Sequence, residues 1–211
     1  MNYPTIESEI LAEIEWRMKE LTILKTLPIR ANLSKKQKTV LLKYSIPNIY
    51  SVWEGYVKAV FKIYINAINA ESVLAKEMHP TLLVHSLDMK YPQLTTGAAN
   101  EFDKKTKFIH DLLLFVDATV TIDPKLPTKS NINWEVVNNM LERFNLQPIA
   151  LNPFERQLNS LLRIRNSVAH GENSIPIHQN MVDEQVNNVV NLMDELMFII
   201  LDGCRNFSYK K

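Results

Sequence analysis

Residues 49–70 read IYSVWEGYVKAVFKIYINAINA, and this stretch decides the fold class of the chain. Its large apolar residues recur at three- and four-residue steps, which is the spacing of side chains on one face of an α-helix. The residues that share this face are Trp53, Val57, Val60, Tyr64 and Ile68. The pattern therefore predicts an amphipathic helix from Ile49 to Ala70.

The same periodicity recurs on both sides of this stretch. Before it, a helix is predicted over Ile6–Leu27 with Pro28 at its end, and a second helix starts at the capping residue Ser34 and runs through Tyr44. Pro47 either kinks this second helix or opens the next one. After it, the predicted helices are Pro80–Met89, Asn100–Thr119, Trp134–Phe144 capped by Asn133, Pro153–His170 capped by Asn152 and stopped by Gly171, and about Asn180–Asn206.

Glycine content and periodicity together favour an all-α fold. The chain contains only four glycines, whereas sheet proteins with many tight turns usually need more. No segment alternates apolar and polar residues as a half-buried strand does. A chain of 211 residues is also of a size that forms one domain with a full core, so residues 1–211 are predicted to be a single domain.

Composition excludes several classes of function. The chain is 46% hydrophobic and 22% charged, which is an ordinary globular balance and excludes a mainly disordered protein. The four glycines are too scattered for a dinucleotide-binding loop, a phosphate-cradling loop or a Gly-x-Ser-x-Gly elbow. The net charge is +1, so any contact with nucleic acid must come from a local patch or a small site rather than from a long basic track.

The sequence predicts a cytoplasmic protein without a metal site. Cys204 is the only cysteine, so neither an internal disulfide nor a cysteine-based zinc site can form, as is usual in a reducing cytosol. The histidines show no metal-ligand spacing, and no cofactor is expected. No signal peptide is recognisable, and the longest apolar runs, Leu112–Val116 and Met197–Leu201, are too short to cross a bilayer.

One segment breaks the apolar pattern. On the predicted helix that ends at His170, Arg165 lies in the middle of the apolar stripe, where an unpaired charge would cost several kcal/mol. Asn166 and His170 are four residues apart and so are neighbours on one flank of the stripe. Arg165 is either a structural ion-pair partner or part of a functional site. Glu54, on the edge of the apolar face of the central helix, is either a surface residue or the carboxylate that pairs with Arg165.

These residues carry a resemblance to a known family. The stretch Arg165-Asn-Ser-Val-Ala-His170 closes a long penultimate helix, within the longer segment Leu162–Glu172. Two further stretches accompany it in order, Ser51-Val-Trp-Glu-Gly-Tyr-Val-Lys58 and Ser130-Asn-Ile-Asn133. Over roughly residues 35–205 the chain resembles the HEPN superfamily, in particular its stand-alone RiboL-PSP-like and MAE-like branches.

The resemblance implies a bundle of five or more helices, a homodimer and, in many members, metal-independent cleavage of RNA in toxin or antiviral systems. Carried over residue by residue, Arg165 and His170 are the catalytic pair and Asn166 is the polar residue beside them. Some family toxins carry a modified tyrosine two residues after the histidine, where this chain has Glu172. Other HEPN domains are non-catalytic, and so an interaction module for RNA, a nucleotide or a protein is the alternative function.

The chemistry of these residue types agrees with RNA cleavage. RNA can be cleaved by its own 2′-hydroxyl, and an imidazole such as that of His170 can take or give a proton near neutral pH. The guanidinium of Arg165 matches phosphate oxygens with its forked donors. Because the motif holds one histidine per chain, a twofold dimer is needed to bring two copies to a shared cleft. We therefore expect a homodimeric endoribonuclease with RNA as substrate, and an antitoxin or defence-system protein as a further partner.

Overall fold

The computed structural model describes residues 1–30, 32–90, 102–126, 131–172 and 175–211. Within these residues the chain forms seven α-helices, one short 3₁₀ turn and no strand, and only two isolated β-bridges are present. The all-α prediction is therefore confirmed. The helices are α1 (Tyr3–Arg30), α2 (Lys35–Ala70), α3 (Pro80–Lys90), α4 (Phe102–Val116), α5 (Trp134–Arg143), α6 (Phe154–Ala169) and α7 (Gln179–Arg205), with the 3₁₀ turn at Ala75–Glu77.

The centre of the fold is α2, whose apolar face packs against α1 and α7. The predicted face is confirmed, because all five of its residues are at most 1% exposed: Trp53, Val57, Val60, Tyr64 and Ile68. Two hydrogen bonds show that α1 and α7 run antiparallel. Arg205 donates to the hydroxyl of Tyr3 over 3.0 Å at one end, and Gln179 donates to the carbonyl of Lys25 over 2.9 Å at the other.

Two prolines lie inside helices: Pro28, at which the first helix was predicted to end, and Pro47, which was predicted either to kink its helix or to open the next one. The end at Pro28 and the new helix at Pro47 are wrong, because both helices continue. α1 continues through Pro28 to Arg30, and α2 is one helix of 36 residues that contains Pro47. A proline removes one backbone hydrogen bond, and burial of the surrounding apolar residues outweighs that loss. The predicted start of α2 is confirmed: the Ser34 side chain accepts from the backbone N–H of Gln37, whose side chain accepts from the N–H of Ser34.

α6 lies against the first half of α2 and runs antiparallel to it. At the carboxyl end of α6, the Lys43 ammonium donates to the backbone carbonyl of Glu172 over 3.1 Å. Gly171 has a φ of 75°, and its N–H donates to the carbonyl of Val168 over 3.1 Å, while the N–H of Glu172 donates to the carbonyl of Ser167 over 3.0 Å. This pair of bonds is the Schellman arrangement, in which glycine ends a helix through the left-handed conformation. The predicted stop at Gly171 is therefore confirmed.

The start of α6 differs from the prediction. Pro153, and not Asn152, occupies the position before the first helical residue, and no side chain caps this end. The backbone carbonyl of Leu151 instead accepts from the N–H of Glu155 over 3.0 Å. A backbone carbonyl thus accepts one of the free N–H groups of the first turn, as a capping side chain normally does.

The remaining helices are α3, α4 and α5, and buried residues of α3 and α5 belong to the same hydrophobic core. α5 packs between α3 and α6, whereas α4 contacts the 3₁₀ turn. The predicted cap of α5 is confirmed, since the side chain of Asn133 accepts from the N–H of Val136 over 2.8 Å. The predicted start of α4 at Asn100 and the residue Ser130 of the quoted motif lie outside the described residues. None of the described helices is long and apolar enough to cross a membrane.

Candidate functional site

Arg165 is half-buried on α6, where it faces Tyr50 of α2. Its guanidinium carbon lies 4.9 Å from the centre of the Tyr50 ring. One terminal nitrogen, Nη1, donates to the side-chain oxygen of Asn166 over 2.9 Å and to that of Asn131 over 3.2 Å. The cation is therefore held by two amides and an aromatic ring, all of which are uncharged.

Tyr50 connects this arginine to the segment before α5. Its hydroxyl accepts from the backbone N–H of Ile132 over 2.8 Å, and the indole N–H of Trp53 donates to the carbonyl of Ile132 over 3.3 Å. Burial is the main cause that raises the pKa of Tyr50 to about 12, and the nearby carboxylate of Glu54 acts in the same direction, whereas the hydrogen bond from Ile132 and the charge of Arg165 oppose it. Tyr50 is therefore a neutral phenol, which can donate to Glu54 while it accepts from Ile132. These bonds fix Asn131 beside Arg165.

The predicted ion pair between Glu54 and Arg165 is not present. Glu54 forms its ion pair with Lys58, one turn further along α2, over 2.6 Å. The geometry of Tyr50 separates the two groups, since Arg165 lies over the ring face while Glu54 interacts with the hydroxyl. Glu54 thus belongs to the same cluster through Tyr50. Within the part of the chain that the structure describes, Arg165 makes no ion pair.

His170 occupies the carboxyl-terminal cap position of α6, and its side chain is exposed. Its backbone N–H donates to the carbonyl of Asn166 over 3.0 Å. Its imidazole makes no hydrogen bond with any described residue. Since the two positions are about 140° apart on an ideal helix, Arg165 faces α2 while His170 faces solvent. One copy of the chain therefore brings Asn166 beside both Arg165 and His170, but it does not bring the side chains of Arg165 and His170 to each other.

The arrangement is suited to binding an anion. A guanidinium that is stacked on a ring and bonded to amide oxygens is fixed in direction, and its remaining N–H groups can donate to a second acceptor. Charge-assisted bonds from arginine to phosphate or carboxylate are the strongest hydrogen bonds that proteins make routinely. Among the described residues, no group of three or more His, Cys, Asp or Glu side chains could hold a metal ion.

We expect Tyr50→Phe to destabilise the protein by about 1–3 kcal/mol, because the N–H of Ile132 would stay buried without its acceptor. Ile132 is 0% exposed, so water cannot replace the lost hydroxyl without rearrangement. Tyr44→Phe is the matched control, since Tyr44 lies on the same helix and is 56% exposed. Urea unfolding followed by circular dichroism measures the difference. Equal stability of the two variants would show that the hydroxyl of Tyr50 does not hold this segment in place.

Two residues of this cluster were missed as site residues from the sequence, Tyr50 and Asn131. Tyr50 and Glu54 are four residues apart and therefore lie on neighbouring turns of one helix, so Tyr50 could have been identified from this spacing. The contact between Asn131 and Arg165 joins positions 34 residues apart, and no local pattern in the sequence reports it.

A family model matches residues 6–209 of the chain, and its description is HEPN_MAE_28990-like HEPN. The match covers the central helix, the segment before α5 and the whole of α6, and it confirms the resemblance noted from the motifs. No curated protein and no solved structure gives a significant match.

Proposed function

Since the chain belongs to the MAE_28990-like HEPN family, over residues 6–209, we propose that it is a metal-independent endoribonuclease that acts as a homodimer. HEPN domains are often ribonucleases, and others bind nucleotides. In this proposal Arg165 and His170 are the catalytic residues, Asn166 orients Arg165, and Glu54 supports the cluster through Tyr50.

The observation that carries the proposal is the uncompensated charge of Arg165. A structural arginine at this depth usually pairs with a carboxylate, because burying an unpaired charge is costly. Here the guanidinium has neutral partners in Asn131, Asn166 and Tyr50. A phosphate that reaches it competes with no carboxylate that the described part of the chain places on Arg165. The charge is therefore available to stabilise the additional negative charge of a pentacoordinate phosphorus.

His170 supplies the proton transfers in this proposal. The imidazole of one copy removes the proton from a 2′-hydroxyl of the RNA, and the 2′-oxygen attacks the adjacent phosphorus. The bond from phosphorus to the 5′-oxygen breaks, and the imidazolium of the second copy protonates the leaving oxygen. The products are a 2′,3′-cyclic phosphate and a 5′-hydroxyl, and no oxidant or metal is consumed.

The homodimer follows from the separation of the two residues in one chain. His170 faces solvent at the end of α6, and so a twofold axis near this end would place both histidines and both arginines in one cleft. Multi-angle light scattering at micromolar concentration is expected to give the mass of two chains. A monomer at that concentration would contradict the dimer.

Purified protein and labelled single-stranded RNA test the proposed reaction. We expect cleavage to persist in excess EDTA, because no step requires a metal. We expect no cleavage of DNA or of fully 2′-O-methylated RNA, because both lack the attacking hydroxyl. Cleavage that EDTA abolishes, or cleavage of the methylated strand, would contradict the mechanism.

The exposed position of His170, away from Arg165, also favours a second candidate, a non-catalytic module that binds RNA, a nucleotide or a partner protein. Binding of RNA without any cleavage by the wild type would support this candidate.

For the ribonuclease, we propose the biological role of a cytoplasmic toxin or antiviral effector, controlled by an antitoxin or another defence-system protein. Growth arrest on expression of the wild type, but not of His170→Ala, is the expected sign of such a toxin.

A further inference from the structure

The solvent-facing side of α6 carries basic and amide side chains that end at the candidate histidine. Seven residues make almost two full turns of an α-helix, so positions 156, 163 and 170 lie within about 40° of one another around the helix axis. Asn159 and Asn166 fill the adjacent column. We name this set the α6 stripe; all its members are exposed except Asn166, which is half-buried, and they are Arg156, Asn159, Arg163, Asn166 and His170.

The charge of the α6 stripe is of one sign. Neither Arg156 nor Arg163 forms an ion pair or hydrogen bond with any residue that the structure describes. Several other exposed cations do have carboxylate partners, as in the pairs Lys19–Glu15, Lys58–Glu54 and Lys76–Asp117. The single carboxylate within α6, Glu155, lies in its first turn. A protein with a net charge of only +1 thus has two arginines, without a carboxylate partner among the described residues, aligned on the helix that carries the candidate site.

We propose that the α6 stripe binds the sugar–phosphate backbone of single-stranded RNA and guides the strand to His170. This inference rests on the proposed function and names the form of its substrate. The stripe is about 21 Å long at 1.5 Å per residue, which is enough to follow several successive phosphates of one strand. Arginine donates in forked pairs to phosphate oxygens, and the amides of Asn159 and Asn166 can donate to sugar or base oxygens. A surface only one helix wide matches one strand rather than the two strands of a duplex.

Fluorescence anisotropy tests the proposal with a labelled twelve-nucleotide RNA that is fully 2′-O-methylated and therefore resists cleavage. We expect the Arg156→Ala/Arg163→Ala variant to bind this RNA at least about tenfold more weakly than the wild type. The slope of log affinity against log salt should fall by about 1.4, which is about 0.7 for each lost phosphate contact on a single strand. A twelve-base-pair duplex RNA should bind more weakly than the single strand.

The matched control is Arg30→Ala/Lys62→Ala, which removes two exposed cations from α1 and α2 and should keep wild-type affinity. Circular dichroism of each variant confirms an unchanged helix content. Unchanged affinity and slope in the stripe variant, equal losses in the control variant, or tighter binding of the duplex would each overturn the inference. These outcomes leave the proposed function intact if unmodified RNA is still cut. The proposed function fails instead if the stripe binds RNA as described and the wild type cuts none.

Discussion

His170→Ala is expected to lower the rate of RNA cleavage by about 10²–10⁴-fold, which is the usual contribution of one proton-transfer group. The substitution should leave the fold intact, because the side chain is exposed and bonds to no described residue. The backbone bonds that end α6 run through Gly171 and Glu172 and do not involve the imidazole. Initial rates on a labelled RNA, together with circular dichroism, measure both quantities.

His178→Ala is the matched control for this prediction. His178 is also exposed and also occupies a helix-end position, in front of α7, where its side chain makes no capping bond. The control should cleave RNA at the wild-type rate. Full activity in His170→Ala would remove this residue from the mechanism, while equal losses in both variants would point to a general effect of removing a surface histidine.

Arg165→Ala is expected to lower kcat by about 10²–10³-fold, the magnitude typical of removing one donor to a developing negative charge. Arg165→Lys should recover little of this loss, because an ammonium lacks the planar fork. Lysine cannot stack on the Tyr50 ring as guanidinium does, and it cannot reproduce the bonds to Asn131 and Asn166 in the same plane. Because the interaction strengthens as charge develops, kcat should fall more than KM rises.

Arg30→Lys is the control for the change from guanidinium to ammonium, since Arg30 is exposed at the end of α1. It should be fully active. The free energy of unfolding of the Arg165 variants can be compared with that of the wild type as well, because the side-chain oxygens of Asn131 and Asn166 lose their donor when the guanidinium is removed. Wild-type activity in Arg165→Lys would mean that only a positive charge is needed there. Wild-type activity in Arg165→Ala would remove Arg165 from catalysis.

Most of the helices could be predicted because their signals are local. The face of α2 follows from apolar spacing, the start of α5 follows from Asn133, and the end of α6 follows from Gly171. Each of these signals lies within a few residues of the structure that it determines. The prolines show the limit of this reasoning, since whether Pro47 ends a helix depends on how firmly both flanking segments pack against α1 and α7.

The candidate site, like the fold, could be predicted from the sequence only in part. Arg165 could be identified because a charge within an apolar stripe needs a partner, but the kind of partner could not. The expected carboxylate, Glu54, acts on the hydroxyl of Tyr50 and forms its ion pair with Lys58 instead. Asn131 takes the place next to Arg165 instead. Which of several polar groups reaches a half-buried cation depends on the packing of three separate segments, and spacing along the chain does not encode that packing.

Cleavage through the 2′-hydroxyl leaves two characteristic ends on the RNA fragments, and identifying these ends is the most direct test of the proposed mechanism. Purified wild-type protein is incubated in excess EDTA with an RNA of defined sequence, and the ends of the fragments are determined by mass spectrometry. We predict a 2′,3′-cyclic phosphate on one fragment and a 5′-hydroxyl on the other, with neither formed by His170→Ala. Fragments that carry a 5′-phosphate and a 3′-hydroxyl would show that water attacks the phosphorus, and they would contradict cleavage through the 2′-hydroxyl.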